Sequence, residues 1–169
     1  MPAIPSGLFG SVLIMNNTWQ TSPITMLPDL GARPTSMNST FRSSALTRFT
    51  KAMIDTSRTA NFSLAFYDCD SLSVIDGLDL SACTGIDNDF INRCRSLSRL
   101  IIAGETTPGG YTITLPTCPM DHAALVETIN SLPTATNAAT LAVANAAGAS
   151  ELTDGEIAIA TAKNWTVTV

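Results

Sequence analysis

"SLAFYDCDSLSVIDGLDLSACTGIDNDFINRCRSLSRL", residues 63–100, carries nearly the same message twice. Phe66 is followed by Cys69 and by Ser71-Leu72; Phe90 is followed by Cys94 and by Ser96-Leu97. Working outward, Asp55-Thr56-Ser57 is matched further along by Asp79-Leu80-Ser81, and the two triplets precede Phe66 and Phe90 at the same distance. An earlier copy runs from Asp29-Leu30-Gly31 through Met37-Asn38 to Phe41. Leu46, Leu72 and Leu97 follow the three phenylalanines. Three copies of one unit therefore span Pro28 to Ile102.

The unit is about 24–26 residues long, inside the range of roughly 20–29 residues for one coil of a leucine-rich solenoid. Short strands such as "LSVIDGL" (72–78) and "LSRLII" (97–102) would lie side by side at ~4.8 Å. Their Leu, Ile and Phe side chains would stack into ladders that no single coil can bury alone. Asp-x-Ser is a natural turn, because both side chains bond nearby backbone amides. An amphipathic helix is a poor alternative, since Ser, Thr, Asp and Gly crowd the intervening positions. The expected fold class is α/β: a leucine-rich-repeat-like solenoid. Short parallel strands stack along one face, with helices or irregular turns on the other.

The C-terminal third changes register. Tyr111–Leu115 alternates like a strand. Asp121–Leu132 has helical period, with Ala124, Leu125, Ile129 and Leu132 on one face, and Pro133 ends it. "ATLAVAN" (139–145) reads as a strand. Thr153 and Glu156 form a capping box for a second helix, with Asn164 closing it before the strand "WTVTV" (165–169). Strands alternating with helices suit parallel coils. The expected organisation is an N-terminal cap or partner-contact segment, 1–27, and one solenoid domain, 28–169. That domain holds irregular repeats over 28–102 and strand–helix coils over 111–169. In the first segment, "SVLIMNNTW" (11–19) is expected to form a capping strand, and the residues before it to contact a partner.

The phenylalanine, cysteine, Ser-Leu and Asp-x-Ser pattern of residues 28–102 resembles the BspA-like leucine-rich repeat of bacterial surface proteins and phage appendages. The first copy has Ser43 or Ser44 in place of the cysteine, and the phenylalanine-to-leucine gap lengthens from copy to copy. The ending "LTDGEIAIATAKNWTVTV" looks like the terminal coil of leucine-rich-type phage tail and surface proteins. Asn164 stands there in place of a glycine and tolerates the same left-handed backbone. Trp165 is expected to cap the open hydrophobic end.

Composition narrows the function. The 169 residues are 45% hydrophobic and 14% charged, with a net charge of −5. The nine Lys and Arg form no cluster, so neither nucleic acid nor an anionic membrane surface is an expected partner. No stretch approaches the ~20 apolar residues of a membrane span. The N-terminus has no basic region before its short apolar run, so it reads as mature sequence without a signal peptide.

Candidate chemistry is sparse. Cys69, Cys83, Cys94 and Cys118 lack zinc-ligand spacing, and His122 is the single histidine. Cys69 and Cys94 read as stacked, reduced core thiols. His122 reads as a first-turn helix residue, and its spacing from Cys118 matches no thiol-protease signature. Asp68 with Asp70, and Asp87 with Asp89, read as solvated turns, because both pairs lack the glycine and distal glutamate of a calcium loop. "TTPGGYT" (106–112) reads as a tight turn, not a phosphate loop. No catalytic, cofactor-binding or metal residue is assigned, and no cofactor is expected.

The resemblance, the low charge and the sparse chemistry together imply a non-enzymatic structural and protein-binding component of a phage virion. A tail appendage, a fibre tip or a capsid decoration would fit. The resemblance implies other virion proteins or a host surface receptor as partners, a homo-oligomer or symmetric assembly, and synthesis in the host cytoplasm. A bacterial cell-surface adhesin module is the alternative, ranked lower for want of a secretion signal or anchor. An enzyme built on a solenoid ranks third.

Overall fold

In the computed structural model, residues 14–87 and 89–169 are described. The elements are β1 (Arg48–Thr50), β2 (Val74–Asp79), β3 (Arg99–Ala103), β4 (Thr106–Gly109), β5 (Thr112–Thr114), α1 (His122–Ser131), β6 (Thr134–Asn137), β7 (Ala139–Ala142), α2 (Asp154–Thr161) and β8 (Trp165–Thr168). A short 3-10 turn, Ala149–Glu151, precedes α2.

The expected leucine-rich-repeat-like solenoid, with strands stacked along one face, is not what forms. Among the described residues, eight short strands divide among three small parallel sheets, ordered β1-β2-β3, β4-β6 and β5-β7-β8, accompanied by two α-helices. The first sheet does pair the repeated segments in parallel, with Arg48 opposite Val74 and Val74 opposite Arg99. It stops at β3 because α1, not a strand, packs on that edge. Thr128 Oγ1 donates to the Leu100 carbonyl at 2.8 Å, and Ser131 Oγ accepts from the Ile102 amide at 3.0 Å. Helix hydroxyls thus satisfy backbone groups that a next strand would have paired. Arg99 adds a fork to Glu127 of α1 at 3.0 and 2.7 Å.

Replacing Thr128 by Val keeps the shape but leaves the buried Leu100 carbonyl without this donor. The expected loss is about 1–3 kcal/mol. A denaturant melt within ~0.5 kcal/mol of wild type would show that the hydroxyl does not close the sheet.

Both helices begin as their sequences dictate. Asp121 caps α1, its Oδ1 accepting from the Ala124 amide at 2.9 Å. Thr153 and Glu156 form the reciprocal capping box of α2. Asn164, at φ 64°, turns the chain from α2 into β8. Gly148 lies directly against the Asp121–His122 backbone, where any Cβ would collide.

The opposite side of the repeats is built from turns. Met37–Thr40, Phe41–Ser44, Phe62–Ala65, Phe66–Cys69 and Ile91–Cys94 are each closed by an amide-to-carbonyl bond from the fourth residue to the first. Their third residues, Ser39, Ser43, Leu64, Asp68 and Arg93, all have φ between 53° and 65°. That is the type II arrangement, which usually takes glycine. Leu64 is held there by its neighbours: its amide reaches Asp87 Oδ1 at 3.2 Å, and the Phe62 amide reaches Gly85 O at 2.8 Å. The aspartates of the three triplets make the expected turns, Asp29, Asp55 and Asp79 accepting from the amides of Gly31, Ser57 and Ser81 at 2.8, 3.0 and 3.0 Å.

These bonds refine the repeat. Phe41 donates to Ala65 O and Phe66 donates to Phe90 O, so Ile91, not Phe90, occupies the position equivalent to Phe66. The repeat slips by one residue between the Asp-x-Ser turn and the phenylalanine. Phe90 still packs edge-on against Phe66 and Phe62, at 5.7 and 6.0 Å. The core is one continuous cluster, with Phe41, Phe66, Leu46, Leu72, Leu97 and Trp165 all essentially inaccessible.

Two further expectations change. Thr106–Gly109, read as a tight turn, is strand β4, paired with β6 in register Thr106 to Thr134. Of the expected capping strand, residues 11–13 lie outside the described residues, as do the expected partner-contact residues 1–10. Ile14 makes one isolated bridge to Ser36, after which Met15–Ser22 continues as turns, with Trp19 stacked on Phe41 at 5.2 Å.

Candidate functional site

All four cysteines are buried and free. Cys69 and Cys94 occupy equivalent places: Cys69 Sγ donates to Phe41 O at 2.8 Å and Cys94 Sγ to Phe66 O at 3.0 Å. Ser44 fills the same place in the first copy, 3.7 Å from Cys69 Sγ. The neighbouring Cys69 thiol, aided by burial, pushes the Cys94 thiol up. Burial pushes Cys83 up to about 12 and raises Cys118 as well. A nucleophilic cysteine needs the opposite, a thiolate favoured near neutral pH. The neighbouring Cys94 thiol lowers Cys69, but that thiol is fully buried and faces a backbone carbonyl, out of reach of a substrate.

His122 is the first residue of α1, and its Nε2 lies 3.0 Å from both carboxylate oxygens of Glu156 on α2. Glu156 in turn accepts from the Thr153 amide at 2.8 Å and the Thr153 hydroxyl at 2.9 Å. The histidine therefore ties together the starts of the two helices. Cys118 points elsewhere; its backbone bridges to Ala146 and its thiol is buried. The Cys–His combination is not assembled.

The pair sets a pH dependence. Hydrogen bonding to Glu156 raises His122 above its ordinary 6.5. The Thr153 amide, then His122, hold Glu156 down at about 2 against an ordinary 4.5. The raised histidine stabilises fully below pH 6.5, and that contribution fades as pH climbs through its folded value. The depressed glutamate stabilises fully above pH 4.5, and its contribution fades as pH falls towards about 2. Both act together between pH 4.5 and 6.5, so this pair's contribution to the melting temperature is greatest there. In His122→Gln the decline above pH 6.5 should flatten. An unchanged alkaline limb in that variant would exclude the ion pair as its source.

The acidic pairs are answered by bases one repeat away. Asp68 faces Arg93 at 3.8 Å and Asp70 faces Arg95 at 3.4 Å. Arg33 joins Asp55 at 2.8 Å, and Arg99 joins Asp76 at 2.7 Å. Arg42 and Arg93 also lie against the Tyr67 ring, at 5.3 and 5.7 Å. Asp87 is taken by the Leu64 amide, and Asp89 accepts from Asn92 Nδ2 at 2.8 Å. Among the described residues, no three His, Cys, Asp or Glu side chains converge to hold a metal ion. The one-repeat spacing of Asp68 from Arg93, and of Asp70 from Arg95, was legible in the sequence.

Trp165, the first residue of β8, is buried, its Nε1 donating to Pro133 O at 2.8 Å and its ring edge-on to Tyr111 at 5.9 Å. Two surface depressions stand out among the described residues. One, about 440 Å³, is lined by Asp29, Arg33, Lys51 and Asp55 among others. The second, about 310 Å³, lies between Asp89-Asn92 and Thr114–Thr117. No helix among the described residues is long and apolar enough to cross a membrane. Comparison with known proteins finds no matching family model, no matching curated protein and no matching solved structure.

Proposed function

We propose that the chain is a non-enzymatic structural and binding component of a phage virion. It would serve as a tail appendage, fibre tip or capsid decoration, contacting other virion proteins or a host surface receptor from a homo-oligomeric or symmetric position. The observation that carries the non-enzymatic part is the commitment of five candidate groups to structural partners. His122 clasps Glu156, the thiols of Cys69 and Cys94 donate to backbone carbonyls, and Asp68 and Asp70 pair with Arg93 and Arg95. A general base or nucleophile must instead be poised towards a substrate. The resemblance of residues 28–102 to a repeat of bacterial surface proteins and phage appendages, and of 152–169 to the terminal coil of phage tail and surface proteins, supports a place on the outside of a particle. The low charged fraction, 14%, suits surfaces that pack against protein.

The enzymatic alternative is tested by a sweep of glycan, ester and peptide substrates with the whole chain. The expected result is no turnover above a buffer blank. Turnover that disappears in His122→Gln would overturn the reading.

A further inference from the structure

We propose that the depression of about 310 Å³ between Asp89-Asn92 and Thr114–Thr117 binds a neutral saccharide through adjacent hydroxyl groups. This deepens the reading above, on which it rests, by naming the chemistry of a host surface the chain would recognise.

The volume is at the small end of ligand sites, suited to a single sugar ring. Its polar lining comes from Asp89, Asn92, Thr114, Thr117 and Asn145, with Pro116 as an apolar wall. A sugar hydroxyl both donates and accepts, so a site for it must offer both kinds of group at close quarters. An ionised carboxylate only accepts, whereas a carboxamide does both. Asn92 Nδ2 donates to Asp89 Oδ1 at 2.8 Å, which fixes the two planar groups against each other. That bond uses one oxygen of Asp89 and one N–H of Asn92, which leaves the pair both accepting and donating capacity for two neighbouring hydroxyls. Across the depression, Asn145 Nδ2 reaches Leu115 O at 3.5 Å. That is the outer limit of a hydrogen bond, so exchanging it for a ligand oxygen costs little.

The lining also argues against other ligands. It contains no lysine or arginine, so a phosphate, sulfate or carboxylate finds no countercharge there. It has one carboxylate, where a divalent cation in a protein site takes several oxygens at once. The larger depression is different: its Arg33 and Asp55 are already joined at 2.8 Å.

The test titrates the whole 15N-labelled chain with the methyl glycosides of glucose, galactose and mannose. N-acetylneuraminic acid and calcium chloride serve as separate arms. The expected result is that at least one neutral glycoside shifts the amides of Asn92, Thr117 and Asn145, with a dissociation constant near ~1 mM. Asp89→Asn and Asn145→Ala should each weaken that binding about tenfold or more, with melting temperatures unchanged. Three results overturn the proposal: no neutral glycoside moves these amides, only the acidic sugar or calcium does, or both variants bind as well as wild type. If the chain is found in particles but binds no glycoside, the saccharide site falls and the functional reading stands.

Discussion

Phe66→Ala should cost about 3–5 kcal/mol of stability, among the largest effects of any single truncation in the chain. Phe66 is fully buried and touches three other rings. It stacks on Phe41 at 5.5 Å with planes 9° apart, and meets Phe49 and Phe90 edge-on at 5.2 and 5.7 Å. Each such pair adds about 0.5–1.5 kcal/mol beyond its buried area. The cavity cannot collapse easily, because the backbone on both sides is tied across segments: the Phe66 amide bonds to Phe90 O and the Phe41 amide to Ala65 O. Denaturant melts read the effect directly. A loss under ~1 kcal/mol would mean that the rings do not form a continuous stack.

Trp165→Ala should be comparably damaging, at about 3–5 kcal/mol from the lost packing alone. Two separate contributions can be resolved. The ring fills the space beside Tyr111, and its Nε1 satisfies the carbonyl of Pro133, just past the end of α1. Trp165→Phe keeps most of the ring and removes the donor, so it should lose about 1–3 kcal/mol, the cost of a buried carbonyl left unpaired. If Trp165→Phe and Trp165→Ala lose equal amounts, the hydrogen bond carries the whole effect and the ring is not a packing element.

Phe66 was visible in the sequence as a repeating apolar position and Trp165 as an end residue of the last strand, and so were both helices. Asp121 and the Thr153–Glu156 box announce helix starts that form where the spacing places them. Local chemistry sets such features. What the sequence did not disclose depends on partners far along the chain. Thr106–Gly109 contains Pro108 and Gly109 and looks like a turn, yet it pairs as a strand because Thr134–Asn137, beyond α1, supplies its partner. Leu64 sits in a backbone region that favours glycine, and only the Asp87 and Gly85 bonds of the next segment make that position tolerable. The ending of the first sheet turns on Thr128 and Ser131, ordinary helix residues until they face β3. A run of similar segments in sequence therefore held no warning that a helix would take the place of the fourth strand.

The candidate sites divide in the same way. The cysteine positions and the Asp–Arg spacing follow from the repeat, since equivalent residues meet one segment apart. The clasp between His122 and Glu156 joins two distant residues with no shared motif. The saccharide depression gathers Asp89, Thr114 and Asn145 from three separate segments.

The proposed function makes the chain a built-in part of a particle. Antibodies raised against the folded chain, applied as gold label to gradient-purified phage particles from cells expressing it, test that most directly. Label is expected at one fixed location on intact particles, together with a constant ratio of the chain to the capsid protein across the particle peak. The chain remaining in the soluble fraction, with particles unlabelled and free of it by mass spectrometry, would exclude it from the particle.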